Sequence, residues 1–163
     1  MYHQNHVELT YYSVTSINEL KPEHKELLLN AREASWKAYA PYSKFNVGAA
    51  ARLEGGEIVL ASNKENASFP AGVCAERNLL NYISDQFSGK RIVSLAIAAN
   101  PVEFQLTSPI SPCGICRQVM CESERNQGND IEIIIGSEIG EILIFSSAAS
   151  LLPMHFQLSQ LKK

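Results

Sequence analysis

Hydrophobic and polar positions along the chain fall into two rhythms, one helical and one of sheet type. From Pro22 to Tyr39, the residues Leu27, Leu28, Ala31, Ala34, Ser35 and Ala38 recur at helical spacing, with Pro22 suited to a first turn and Pro41 closing the segment. Residues 47–53 and 57–61 are apolar runs around Glu54-Gly55-Gly56, which predicts a β-hairpin because glycine takes positive φ without strain. Residues 74–87 predict a second helix, with Leu79, Leu80 and Ile83 on one side. Residues 91–99 predict a buried strand, 113–125 a third helix, and 131–135 and 141–145 two further strands in an antiparallel pair. The segment HVELTYYSV alternates loosely and predicts an edge strand within a polar and aromatic arm, residues 1–20. Beyond Ala148 a weak helical pattern is interrupted by Pro153.

The order α-β-β-α-β-α-β-β implies a mixed sheet with helices on both faces. Two long segments, 62–73 and 100–112, run from a strand end to a helix start. In open α/β sheets, that edge is where ligand sites form, and loops of this length are often functional. No repeat or flexible linker divides the chain, so one domain spanning 1–163 is expected, with the role of the arm unassigned.

Charge narrows the chemistry. A net charge of −3 lacks the basic stripe of a phosphate-backbone binder, so no nucleic-acid partner is expected. A small neutral ligand remains open. No apolar run reaches the roughly 20 residues of a membrane span. The start MYHQNHVELTYY lacks the layout of a signal peptide, so neither membrane nor secretion is expected and the cytoplasm is the default.

In that compartment the four cysteines, Cys74, Cys113, Cys116 and Cys121, point to metal or catalysis before disulfides. Cys74-Ala75-Glu76 opens one helix and Pro112-Cys113-Gly114-Ile115-Cys116 another, 39 positions on (113 − 74). Cys113 and Cys116 are i and i+3 and share one face of a turn. Helix starts carry unpaired N–H groups and the positive end of the dipole, which lowers thiolate pKa values. Three thiolates would hold Zn²⁺ with the fourth position open for water, the hallmark of a catalytic rather than a structural site. Bound zinc lowers the pKa of that water to around 7. Glu76 beside it would take and deliver a proton. Three thiolates leave a net negative centre, and Arg77 is expected to draw off charge by hydrogen-bonding the sulfurs. Cys121 reads as inert core. None of His3, His6, His24 and His155 stands at a ligand spacing.

C-A-E with P-C-x-x-C is the Cys₃ form of the zinc-deaminase signature. The strings AYAPYSKFNVGAA (38–50), NKENAS (63–68), VCAER (73–77) and SPCGICRQV (111–119) resemble cytidine deaminase of the small-subunit, homotetrameric type, over roughly residues 22–156. The resemblance implies a three-layer α-β-α fold with a five-stranded mixed sheet. It implies Cys74, Cys113 and Cys116 as zinc ligands and Glu76 as proton shuttle. It further implies Phe45 beside the pyrimidine, Asn63 and Glu65 on the ribose hydroxyls, and the Ala75 backbone on the base. Phe156, after Leu151-Leu152-Pro153, would reach a neighbouring subunit's site in a homotetramer or homodimer. The implied reaction is hydrolysis of cytidine and deoxycytidine to uridine and deoxyuridine with release of ammonia, a step of pyrimidine salvage. A neutral nucleoside needs no phosphate cradle, and no Gly-rich loop is present.

Phe69-Pro70-Ala71-Gly72 departs from the resemblance, which leads one to expect Tyr-Gly and a β-branched residue there, and Ala40 stands where cysteine is common. Two alternatives stay open on the sequence. One is the same chemistry on a nucleoside antibiotic such as blasticidin S. The other is a structural zinc or binding module without catalysis.

Overall fold

The computed structural model describes residues 2–137, 139–157 and 161. Three helices, α1 (Pro22–Ser35), α2 (Ala75–Gln86) and α3 (Gly114–Gln127), accompany six strands. The strands are β1 (Tyr12–Val14), β2 (Phe45–Leu53), β3 (Ile58–Ser62), β4 (Ile92–Pro101), β5 (Glu132–Gly136) and β6 (Ile142–Phe145). They form one sheet in the order β1-β6-β5-β4-β2-β3. Only β4 and β5 pair in parallel, and the other pairs are antiparallel.

The expected five strands are therefore six. The extra strand is β1, whose Tyr12, Ser13 and Val14 lie opposite Ile144, Leu143 and Ile142. The expected alternation in HVELTYYSV contributes only its last three residues to the sheet, and residues 2–11 lie exposed outside it. What fixes Tyr12–Val14 is the free edge of β6, together with the Tyr11 ring against Phe145 at 5.4 Å. Pairing blunts an edge that would otherwise be open.

Side-chain alternation in the strands splits the core into two layers. On one face Ala50, Ala96, Ala98, Ile134 and Ile142 pack against Leu27, Leu28 and Ala31 of α1. On the other, Ala49, Ala51, Leu95, Ile97, Ile133 and Ile135 pack against Leu79, Ile83, Cys116 and Met120 of α2 and α3. This is the expected three-layer α-β-α arrangement. Leu27 and Leu28 are fully buried, each contributing about 1.5–3 kcal/mol of transfer free energy. α1 lies directly on β2 at Gly48, where a Cβ would collide with the backbone of Ala31 and Ser35. The β2–β3 hairpin turns through Gly56 at φ 90°, a conformation that favours glycine.

The topology sets where the site can form. β3 and β4 both run antiparallel to β2, so their C-terminal ends lie at the same sheet edge as the start of β2. The β3–α2 and β4–α3 loops leave from that edge. The starts of α2 and α3 and Phe45, the first residue of β2, thus converge. The tail folds into a short 3₁₀ turn, Ala148–Leu151, in place of the weak helix its pattern predicts.

Candidate metal centre and its surroundings

Cys74 caps α2 and Cys113 caps α3, each in extended backbone and neither using its side chain to cap its own helix. The sequence pattern places both inside their helices; they stand one residue outside, so the sulfurs project past the helix ends. Cys116 sits in the first turn of α3 and is fully buried. The three Sγ atoms lie within 4.8 Å of one another, with Cys113 and Cys116 sulfurs 3.5 Å apart. Tetrahedral zinc with Zn–S near 2.3 Å needs sulfurs about 3.8 Å apart. Three soft donors at that spacing fit zinc in number, chemistry and reach.

The electrostatics are those of a thiol cluster sharing protons. The Cys74 thiol is lowered to about 6, chiefly by the Cys116 thiol with help from the Cys113 thiol and the charge of Arg77, against the opposing effects of burial and Glu76. Cys116 is pushed up by Cys74 and by burial. Glu76, in the first turn of α2, is only 5% exposed, and burial raises its carboxyl pKa against the smaller opposing effects of its own backbone N–H and the neighbouring Cys116 thiol. A buried carboxyl with a raised pKa beside a cluster of thiols is the kind of perturbed group that gathers at functional sites.

The loop delivering Cys74 is firmly anchored. Lys64 exchanges both backbone hydrogen bonds with Val73 at 2.9 Å, and Tyr39 pairs with Asn63 and Glu65 on the other side. Phe69-Pro70-Ala71 forms a 3₁₀ turn ended by Gly72, so the departure at this place is absorbed before Cys74. Cys121 is buried with its thiol toward the Ala148 carbonyl, away from the three-sulfur group, as core.

Asn63 and Glu65 meet the start of β2. The Asn63 amide accepts from Val47 N–H at 2.8 Å and donates to the Phe45 carbonyl at 2.9 Å. Glu65 accepts from the N–H groups of Tyr42 and Ser43 at 2.9 and 3.2 Å, and the Phe45 N–H donates to Ser43 Oγ at 3.0 Å. Asn63 thus holds Phe45 directly and Glu65 holds the turn before it, leaving the amide one N–H and the carboxylate further lone pairs for a ligand. Ala75 is fully buried at the start of α2, between Cys74 and Glu76. Phe156 is 56% exposed, its backbone bonded in both directions to Gln118, and it lines the outer groove between α2 and α3. The lining of that groove includes none of Cys74, Cys113 and Cys116.

Two residues of the surroundings escape sequence reasoning. Arg117 donates to the carbonyls of Pro112 at 2.8 Å and Leu151 at 3.0 Å, tying the loop before Cys113 to the tail. Glu124 is 7% exposed and accepts from Ile131, Ala148 and Ala149 N–H groups and from Ser147 Oγ. Their positions in α3 carry a faint signal, but their partners lie up to 34 residues away.

An α-β-α sandwich with three thiolate donors at two helix starts and a buried glutamate beside them defines a zinc-deaminase type of centre. The family model for the cytidine and deoxycytidylate deaminase zinc-binding region matches residues 21–127, and the chain belongs to that family. It is 39% identical over 101 residues to a cytidine deaminase of Halalkalibacterium halodurans, covering 61% of this chain and 71% of that protein. A cytidine deaminase of Sporosarcina psychrophila is 38% identical over 99 residues, covering 60% and 68%. Among solved structures, cytidine deaminase from Burkholderia pseudomallei superposes with a TM-score of 0.70 at 36% identity, covering 82% of this chain and 98% of that one. The enzyme from Mycobacterium tuberculosis gives 0.65 at 31%, covering 85% and 100%.

Proposed function

We propose that the protein is a zinc-dependent enzyme that hydrolyses the exocyclic amine of cytidine and deoxycytidine, giving uridine or deoxyuridine and ammonia. The observation that carries this is the trio of sulfurs spaced for one ion at the starts of α2 and α3, with the buried Glu76 two residues after Cys74. Cys74, Cys113 and Cys116 hold the metal, which when bound brings a water's pKa to around 7 and so supplies a nucleophile at neutral pH. Glu76 takes a proton from the water as its oxygen adds to C4 and passes it to ring N3; it then carries the remaining hydroxyl proton to the exocyclic amine, the C4–N bond breaks, and ammonia leaves a carbonyl at C4. The Ala75 backbone orients the base and Phe45 covers its face. Asn63 and Glu65 meet the sugar hydroxyls with the hydrogen-bonding capacity that Phe45 and its neighbours leave over. Arg77 offsets the negative charge of the thiolates, in keeping with its effect on Cys74.

The chain acts as one domain in the cytoplasm, with Tyr12–Val14 of the N-terminal arm covering the β6 edge. Among the described residues no helix is long and apolar enough to cross a membrane. We further place the enzyme as a homo-oligomer, a tetramer or dimer, in which Phe156 serves a neighbouring subunit. Exposed Trp36, Tyr39, Tyr42 and Phe69, clustered from the end of α1 to the β3–α2 loop, supply an apolar surface for such contact. A fully active monomer by sedimentation would refute this assembly.

The decisive experiment follows the loss of cytidine absorbance with and without a zinc chelator. Turnover is expected to fall with zinc content. Glu76→Gln should keep one zinc per chain and lose turnover, and Arg77→Ala should keep most zinc with lower turnover. Near wild-type rates in Glu76→Gln would overturn the mechanism. Turnover of blasticidin S in preference to free nucleosides would reassign the substrate.

A further inference from the structure

The β4–α3 loop carries an aromatic residue that none of the motifs includes. Val102 N–H donates to the Lys44 carbonyl at 2.9 Å, which extends the β2–β4 ladder one step past Phe45 opposite Pro101. Further on, the Thr107 carbonyl lies where a Cβ on Gly140 would press against it. Between that bond and the close approach of Thr107 to Gly140, Phe104 turns onto Phe45, with ring centroids 6.2 Å apart and planes tilted by 38°. That separation is within the range of favourable aromatic pairs.

Phe45 is the outermost residue of β2. Strand alternation puts it on the same face as Val47 and Ala49, the face that α2 and α3 cover. Its backbone is fixed by Asn63 and Ser43, and its ring is half-buried at the end of the strand. Phe104 packs against that ring. It is itself 57% exposed, so it forms an outer wall rather than core.

We propose that Phe104 is a positioning residue for substrate binding: by packing on the Phe45 ring it holds that ring's face toward the pyrimidine. This rests on the functional reading above, in which Phe45 covers the base. Phe104 takes no part in proton transfer, so its contribution is to binding alike in ground and transition states. Such uniform binding appears in KM and leaves kcat alone.

The test is steady-state kinetics on the zinc-loaded enzyme with cytidine. An aromatic pair contributes about 0.5–1.5 kcal/mol beyond burial, so Phe104→Ala should raise KM about two- to tenfold with kcat within about twofold. Phe104→Tyr should restore KM. In a Phe45→Ala background the same Phe104→Ala change should have no further effect, because the ring it positions is gone. Zinc content should stay as in the wild type, and the melting temperature should fall by at most about 6 °C. Unchanged KM in Phe104→Ala, an equal rise in the Phe45→Ala background, or a fall in kcat and zinc content together would each overturn the assignment. Wild-type enzyme inactive on every nucleoside would overturn the functional reading and this inference with it. Active wild type with an indifferent Phe104 would overturn this inference alone.

Discussion

Replacing Glu124 by alanine tests the least legible element around the metal centre. This carboxylate accepts from Ile131 N–H at 2.8 Å, Ala148 N–H at 2.7 Å, Ala149 N–H at 3.1 Å and Ser147 Oγ at 2.7 Å. Ile131 and Ala148 are fully buried, so their N–H groups would lose their partner without gaining water. Ala149 N–H keeps a bond to Ser147 Oγ at 3.1 Å, and the Ser147 hydroxyl can turn to solvent. Two orphaned buried donors at about 1–3 kcal/mol each put the loss at roughly 4 kcal/mol. For a chain of this size that lowers the melting temperature by about 8–16 °C. The assay is thermal unfolding of the zinc-saturated protein followed by circular dichroism. Glu124→Gln, which keeps one acceptor oxygen, should fall between the two. The 3₁₀ turn that Glu124 holds carries Leu151, whose carbonyl receives Arg117, so zinc should also dissociate faster. A shift under about 3 °C in Glu124→Ala would refute the reasoning, since the orphaned groups would then have found other partners at no cost.

Gly48→Ala should destabilise the fold by about 2 kcal/mol or more, read by urea unfolding, because its Cβ would meet the backbone of α1 and not a yielding side chain. An unchanged midpoint would mean that α1 moves outward freely. The Glu65 carboxyl is held below its ordinary 4.5, first by the Ser43 hydroxyl and then by the Tyr42 and Ser43 N–H groups. Its contribution is therefore complete above about pH 5 and fades as pH falls through the lower folded value. The stability gap between wild type and Glu65→Gln, small for so accessible a group, should narrow below pH 4; a gap independent of pH would contradict the assignment.

The metal centre was readable in the sequence because each half of it is local: a cysteine before a helical run, and a Cys-x-x-Cys at another helix start. That the two halves meet is the work of the sheet, whose antiparallel pairing of β3 and β4 with β2 brings both helix starts to one edge. Helices and strands followed from apolar spacing with ends displaced by one or a few residues, as at Cys74 and Cys113, where cap and first turn look alike in sequence. β1 was not readable at its true extent. Val7 and Leu9 alternate as well as Tyr12 and Val14 do, and only the exposed edge of β6 decides which of them pair. The anchoring of Phe45 by Asn63 was hidden for a similar reason: an amide in a loop carries no mark of which strand it will bond. Arg117, Glu124 and Phe104 act on partners brought near only by the completed fold.

Both capping positions being cysteine has a consequence for how the protein handles demetallation. An ordinary helix start is closed by a serine or aspartate belonging to the same segment, so each end frays on its own. Here Cys74 and Cys113 spend their side chains elsewhere. One ion bound to both would knit two separate helix starts into a single cooperative unit. Stripping it should let the opening turns of both helices exchange their amide hydrogens together, at one common rate, while the sheet beneath stays protected.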